Sequence, residues 1–436
     1  MMRRAHRAYR RMGVLNVPRA AVLVIACALA AVLAAGLLEA GYAGAQRVTL
    51  PPIKVGVLHS LTGSVAIAER PINDATLLAI EEINAHGGLL GRKIQPVVVD
   101  GRSDWPTFAA LARRLLSHDR AAAIFGCYTS ASRRTVEPII ERLHGALFYP
   151  TFYEGMESSP NVVYTGSAPN QFITPAVKWF LDNRGKRFYL VGSDYVYPRS
   201  SNAIIKDQLA RLGGQVVGEA YVPLGASDVR GLVRKIVKAR PQVIISSIVG
   251  DTNLPFYRAL REAGATPQRL PVLSIVMAEA EMQFLRPAEM AGNYIAMSYF
   301  QSVGGASNED FVRRFKRRFG AGSVISDPMQ SAYESVQLWA QAVRRAHNVE
   351  PSEVLKAIRG QSFDAPEGRI WVDEENLHAW KRARIGQIRA DGQVDIIWES
   401  ETVLHPVPYP PSRTRRDWNG MLHDLYTGWH NSWARP

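Results

Sequence analysis

The chain has 436 residues, 47% hydrophobic and 21% charged: the balance of a soluble globular protein, at a length that points to two domains. Net charge is +13, but Arg3, Arg4, Arg7, Arg10, Arg11 and Arg19 sit within the first 45 residues against the single acid Glu39. The rest is mildly basic, with no Lys/Arg stripe interleaved with aromatics, which excludes nucleic acid as a partner.

The Arg-rich start is followed by an apolar run, Ala20–Leu38, and by Ala43-Gly44-Ala45, the three-part pattern of a secretory signal. Cleavage is expected after Ala45, with residues 1–45 removed, Gln46 as the new start and the body in the periplasm. The same run at 1.5 Å per residue reaches about 28 Å, so its length also suits an uncleaved anchor through residues 20–38. A lipidation box at Val24-Ile25-Ala26-Cys27 has its longer apolar run after the cysteine, the wrong order. All three readings put the body outside the cytoplasm. Cleavage removes Cys27, leaving Cys127 without a disulfide partner. The histidines show no H-E-x-x-H and no Cys/His pairing at metal-ligand spacing, so neither a metal nor a cofactor is expected.

From Ile53 the pattern alternates short apolar strands with amphipathic helices. Strands are expected at 53–60, 94–100, 121–127 and 146–151, then at 187–194, 215–222, 242–250, 271–277 and 293–300. Near-continuous apolar strands separated by helices predict an α/β fold with parallel sheets covered on both faces. The two series are split by "YEGMESSPNVVYTGSAPNQ" (153–171), rich in Gly, Pro, Ser and Asn, which suits a crossover between lobes. This gives a first lobe at 53–170 and a second at 171–301. Helices near 308–319, 328–347 and 351–359 then return to the first lobe over 302–373. Residues 374–410 return to the second lobe with a hairpin turning at Asp391-Gly392, and 411–436 form a C-terminal tail. In that tail Trp418, Leu422, Leu425 and Trp429 fall on one helical stripe, expected to pack on the body.

Ligands of open α/β sheets bind beyond the carboxyl ends of the strands. Those ends read "HSLTG", "DGRSDW", "GCYTS", "YPTFYEG", "GSDYVYP", "VGDTN" and "MAEAE", in which hydroxyls and aromatic rings recur. Capping alone explains any single Ser, Thr or Asp there; tyrosine at several strand ends calls for a cleft to line. Thr129 or Ser130 is placed to cap a helix. Cys127 ends an apolar strand with no histidine partner, so it reads as packing and not as a nucleophile, and no enzyme is expected. "GGLLGRK" (87–93) follows a helix, lacks phosphate-loop spacing and is a helix stop.

"IKVGVLHSLTGSVAI", "FGCYTSASRRTVEPIIE", "LFYPTFYEG", "SPNVVYTGSAPNQ" and "GSDYVYPRSSN" resemble the urea and short-chain-amide binding proteins of bacterial ABC importers. They also resemble the amide-sensing regulator of the aliphatic amidase operon. The likeness covers about residues 53 to 410 and lies within the type I periplasmic binding fold. It implies two Rossmann-like lobes joined by three crossovers, closing on a small neutral ligand handed to a membrane permease. The contacts it implies are Tyr128, Ser130, Tyr149 and Thr151 from the first lobe and Tyr195, Tyr197 and Val249 from the second. The chain departs from these relatives at Val276, where they tend to carry a hydroxyl, and at Phe152, where the regulator has a smaller residue. Both changes make the pocket tighter or more apolar. Export favours a transport receptor; a periplasmic amide sensor and a branched-chain amino acid receptor stay open, as does the oligomeric state.

Overall fold

The computed structural model describes residues 18–43 and 50–435. Arg19–Ala43 forms a helix, α1, in a unit distinct from the body that starts at Pro51. Among the described residues no helix is long and apolar enough to cross a membrane. Gly44 and Ala45 of the expected cleavage site lie outside the described residues.

The first lobe runs β1 (Ile53–His59), α2 (Ala66–Ala85), β2 (Ile94–Asp100), α3 (Trp105–Ser117), β3 (Ile124–Gly126), α4 (Ser130–Arg142), β4 (Leu147–Tyr149) and β5 (Val162–Tyr164). Its sheet is parallel, in the order β2-β1-β3-β4-β5. The strands of both lobes sit under helices, so hydrophobic residues fill both faces of each sheet. The stretch 153–171, read from its composition as a plain crossover, supplies β5 as the edge of this sheet before it crosses.

The second lobe follows with α5 (Ile173–Asn183), β6 (Arg187–Ser193), α6 (Val196–Leu212), β7 (Gln215–Val222), α7 (Arg230–Ala239), β8 (Val243–Ser247) and α8 (Asn253–Glu262). It continues with β9 (Val272–Ser274), two short helices α9 (Glu279–Met282) and α10 (Pro287–Met290), and β10 (Tyr294–Met297). The expected strand 271–277 pairs only over β9; its remaining residues leave the sheet toward the cleft.

The chain then returns to the first lobe as α11 (Ala306–Phe319), α12 (Asp327–Ala346), α13 (Pro351–Ala357) and a hairpin, β11 (Ser362–Ala365) with β12 (Gly368–Trp371). It crosses again to add β13 (Arg384–Ile388) and β14 (Val394–Glu399) antiparallel to the second sheet, whose order is β14-β13-β10-β9-β8-β6-β7. The chain thus passes between the sheets three times. All three passages are tied to the start of α12. The Thr165 hydroxyl donates to the Ser331 carbonyl at 3.2 Å, and the Ser298 and Tyr299 N–H groups donate to Asp327 at 3.1 and 3.0 Å. Lys381, fully buried, donates to Ser331 Oγ at 3.2 Å and to Glu334 at 2.5 Å, and also pairs with Glu367.

The tail folds as α14 (Arg415–Gly428), opened by a reciprocal capping pair between Thr414 and Asp417. Trp418, Leu422 and Trp429 are buried in the second-lobe core, with Leu425 packed beside them. The Trp418 indole N–H donates to the Pro410 carbonyl at 2.8 Å, and Arg413 clasps Asp207 through bonds of 2.7 and 2.8 Å. Deleting residues 412–436 should therefore cost several kcal/mol and lower the melting temperature by about 5–10 °C, measured by circular dichroism. An unchanged melting temperature would contradict this packing.

Candidate functional site

The strand ends of the two lobes face each other across a closed cleft. Gly250 of the second lobe has φ +63°, and a Cβ there would lie 2.6 Å from the Ser64 carbonyl oxygen of the first lobe. Tyr128 of the first lobe points its hydroxyl at Glu281 of the second, 3.5 Å away. Between the lobes lies a small cavity, with room for about one water molecule, lined by Tyr128, Ser130, Thr151, Phe152, Tyr195, Tyr197 and Val276. A far larger, open groove over the third crossover, lined by Trp371, Asp373 and Trp380 among others, contains none of the expected ligand contacts.

Local backbone places each wall. Between β3 and α4 the chain makes a tight turn with Cys127 at φ 63°, an uncommon conformation for a side-chain-bearing residue. The turn ends at Thr129, whose hydroxyl caps α4 by accepting from the Ser132 N–H at 3.0 Å. Tyr128 and Ser130 thereby stand at the head of α4. Thr151 and Phe152 follow β4, and Gly166 lets the first crossover lie against them: a Cβ there would come within 2.1 Å of the Thr151 carbonyl. Tyr195 and Tyr197 open α6, and Phe152 packs against Tyr197 with ring centroids 6.2 Å apart.

The hydrogen bonds give the cavity a polarity. Tyr197 donates to the Ile275 carbonyl at 2.5 Å, and Ser130 donates to Glu154 while accepting from Arg133 at 3.2 Å. Tyr128 is directed at Glu281. These three hydroxyl protons point away from the cavity. Thr151 Oγ1 is buried with no partner, and the Tyr195 hydroxyl makes no hydrogen bond among the described residues. Burial pushes Tyr128, Tyr195 and Tyr197 well above the ordinary phenol value, so all three keep their protons.

Behind the first wall is a buried ion network. Arg133 bonds Glu157 at 2.8 Å, and Arg134 bonds Glu154 at 3.3 Å. Burial would raise Glu157, but Arg133 and Arg134 hold it down at about 2. Tyr149, expected to touch the ligand, stands behind the wall: it is fully buried and donates to the Tyr128 carbonyl at 2.8 Å, with Arg133 4.8 Å from its ring centre. Val249 also lies outside the lining set; its N–H donates to Ser193 Oγ at 3.2 Å. The other five expected residues are brought together, with Phe152 and Val276 beside them. Cys127 is fully buried, and burial drives its thiol far up, which leaves no thiolate for catalysis.

A family model described as "Periplasmic binding protein domain" matches residues 53–415, most of the chain. The chain belongs to that family. Among curated relatives of this binding protein, Leu/Ile/Val-binding protein homolog 6 of Brucella suis biovar 1 is 22% identical over 333 residues, 75% of this chain and 85% of that protein. A segment is 36% identical over 124 residues to limonene hydroxylase of Geobacillus stearothermophilus, covering 28% of this chain and only 22% of that protein. Among solved structures, the ABC-transporter solute-binding protein of Rhodopseudomonas palustris BisB5, in complex with 3,4-dihydroxy benzoic acid, gives a TM-score of 0.74 at 21% identity, covering 82% of this chain and 99% of that one. The leucine-binding protein of Thermotoga maritima MSB8 gives 0.71 at 19% identity, covering 80% and 98%. These identities speak to the fold, which is that of the type I periplasmic binding proteins. The protein is a binding protein of this class and not an enzyme.

Glu281 escaped the residue-type reading, although it stands in the quoted strand end "MAEAE". It is 2% exposed, accepts the Ala278 N–H at 3.1 Å through one oxygen, and has no partner for the other among the described residues. Burial, offset in part by the Ala278 N–H and the Tyr128 hydroxyl, pushes its carboxyl up to about 7. A carboxyl whose folded pKa exceeds its unfolded value contributes stability that is complete below the unfolded value and lost as pH rises through the folded one. Glu281→Gln keeps an oxygen for the Ala278 N–H and has no proton to lose. The variant should therefore gain on the wild type between pH 4.5 and 7, by about 2–3 kcal/mol in all, and hold that gain to pH 8. Thermal melts at pH 4.5, 6 and 8 test this; a pH-independent difference contradicts it.

Proposed function

We propose that the chain is an exported receptor of an ABC importer that closes on urea or a short-chain aliphatic amide and delivers it to a membrane permease. The observation that carries this reading is the outward direction of the Tyr128, Ser130 and Tyr197 protons. Each oxygen then has at least one lone pair left to offer inward, while Thr151 and Tyr195 keep hydroxyls free to donate. A wall rich in acceptors with one or two donors suits a molecule with several N–H groups and one carbonyl.

Size supports the same class. In this closed arrangement the cavity has room for about one water molecule, so small shifts of its lining admit a ligand of a few non-hydrogen atoms more readily than a larger one. Urea and acetamide have four each; the benzoates and leucine of the solved relatives are considerably larger and carry a carboxylate. Arg133, the cation nearest the cavity, is already committed to Glu154 and Glu157, so an anion would find no free counter-charge. The Leu/Ile/Val names of the curated relatives keep a branched-chain amino acid as the competing ligand. The Arg-rich start with its apolar run supports export to the periplasm, and receptors of this class work with permease subunits.

Calorimetry of the mature chain against urea, formamide, acetamide, acetate, benzoate and leucine tests the reading. Binding should be confined to the first three. Tyr128→Ala and Tyr195→Ala should each weaken it by about 5- to 150-fold while the protein stays folded. Binding of leucine or benzoate in preference to every amide, or wild-type affinity in both variants, would overturn it.

A further inference from the structure

The family match ends at residue 415, but the chain continues through α14 and turns back toward the cleft. Residues 433–435 lie along the start of α6. The Val196 N–H donates to the Trp433 carbonyl at 2.9 Å, Tyr195 and Ala434 form a β-bridge, and the Arg435 N–H donates to the Asp194 carbonyl at 3.2 Å. The Arg435 guanidinium also pairs with the Asp194 carboxylate at 3.3 Å. The segment thus brackets Tyr195, the second-lobe cavity residue whose hydroxyl is unbonded.

The same segment touches the first lobe. The Trp433 ring centre lies 5.1 Å from the Arg134 guanidinium and 4.6 Å from the ring of Tyr426 on α14. Arg134 stands one turn along α4 from Ser130 and is fixed by Glu154 and by the Gly155 and Met156 carbonyls at 3.3 and 3.4 Å. One half-buried tryptophan therefore holds the backbone beside Tyr195 on one wall and faces a cation of the other. A cation over an aromatic face is attracted by the ring quadrupole, more strongly where water is excluded. The Arg134 contact joins the two lobes, whereas the contacts to α6 lie within the second.

We propose that Trp433 is a positioning residue of the binding site: anchored beside Tyr195, it latches the second lobe to Arg134 of the first and slows release of bound solute. The release part of this rests on the ligand reading above; the latch itself does not.

The test uses the full mature chain, with spin labels attached at Arg142→Cys on the first lobe and Lys235→Cys on the second, both exposed, while Cys127 is buried and stays unlabelled. In Trp433→Ala the ligand-free distance distribution should broaden and shift to longer values. Acetamide should leave about 5–30 times faster, as loss of a desolvated cation–π contact implies. Melting temperature should stay within about 2 °C of wild type, because α14 keeps Trp418 and Leu422 in the core. Trp433→Phe should restore most of the slow release and Trp433→Leu should not. Unchanged distances in Trp433→Ala would overturn the latch. So would a loss of stability as large as that of the tail deletion, which would mark Trp433 as packing alone. If the wild type does not bind acetamide, the amide reading falls, and the distance measurement still decides the latch.

Discussion

The cleft depends on the polar edge of one buried helix. Asp327, Ser331 and Glu334, within the first turns of α12, receive the three crossovers of the body through Ser298 and Tyr299, Thr165 and Lys381. Lys381 stays charged because Glu334 and Glu367 face it, although burial opposes that charge. Ion pairs taken out of water gain little net stability over well-packed apolar residues, and removing one partner is costly. Their effect here is on placement. Three separate chain passages share one attachment, which fixes where the strand ends of the two lobes meet.

A second buried ionic set does for one wall what α12 does for the whole. Arg133 and Arg134 hold Glu154 and Glu157, and Glu154 takes the Ser130 proton. The charges are thereby balanced away from the cavity, and what reaches its surface is a hydroxyl oxygen with one lone pair still free. On the other side Tyr197 spends its proton on the Ile275 carbonyl. Selectivity in this account comes from the direction of O–H bonds and not from a charged group in the pocket. Because those directions are fixed by buried partners before a ligand arrives, little ordering is left to be done on binding.

Much of the fold was legible in the sequence because apolar runs of strand length alternate with helical periodicity, and each lobe repeats that alternation. The three-residue strand Val162–Tyr164 was hidden in a Gly- and Pro-rich stretch, since so short a segment shows no period. The run 271–277 read as a longer strand than β9 because apolar residues that leave a sheet to line a cavity look like residues that stay in it. At the site, the family resemblance pointed to Tyr128, Ser130, Thr151, Tyr195 and Tyr197, which line the cavity. It could not separate them from Tyr149 and Val249, which stand in the same turns but behind the wall. Glu281 and the Trp433 segment were invisible for another reason: their partners lie far away in sequence, 153 residues in the case of Tyr128 and Glu281. Only the closed arrangement of the lobes brings them together.

On the proposed reading, the cavity between Tyr128 and Tyr195 holds a solute of a few non-hydrogen atoms through its N–H groups. A crystal structure of the mature protein grown with acetamide tests it most directly. The expected result is closed lobes, a four-atom ligand bounded by Tyr128, Ser130, Thr151, Tyr195 and Tyr197, and its nitrogen facing the oxygens of Ser130, Tyr128 or Tyr197. Closed lobes around a larger carboxylate carried through purification, with Arg133 or Arg134 turned to meet it, would contradict the account.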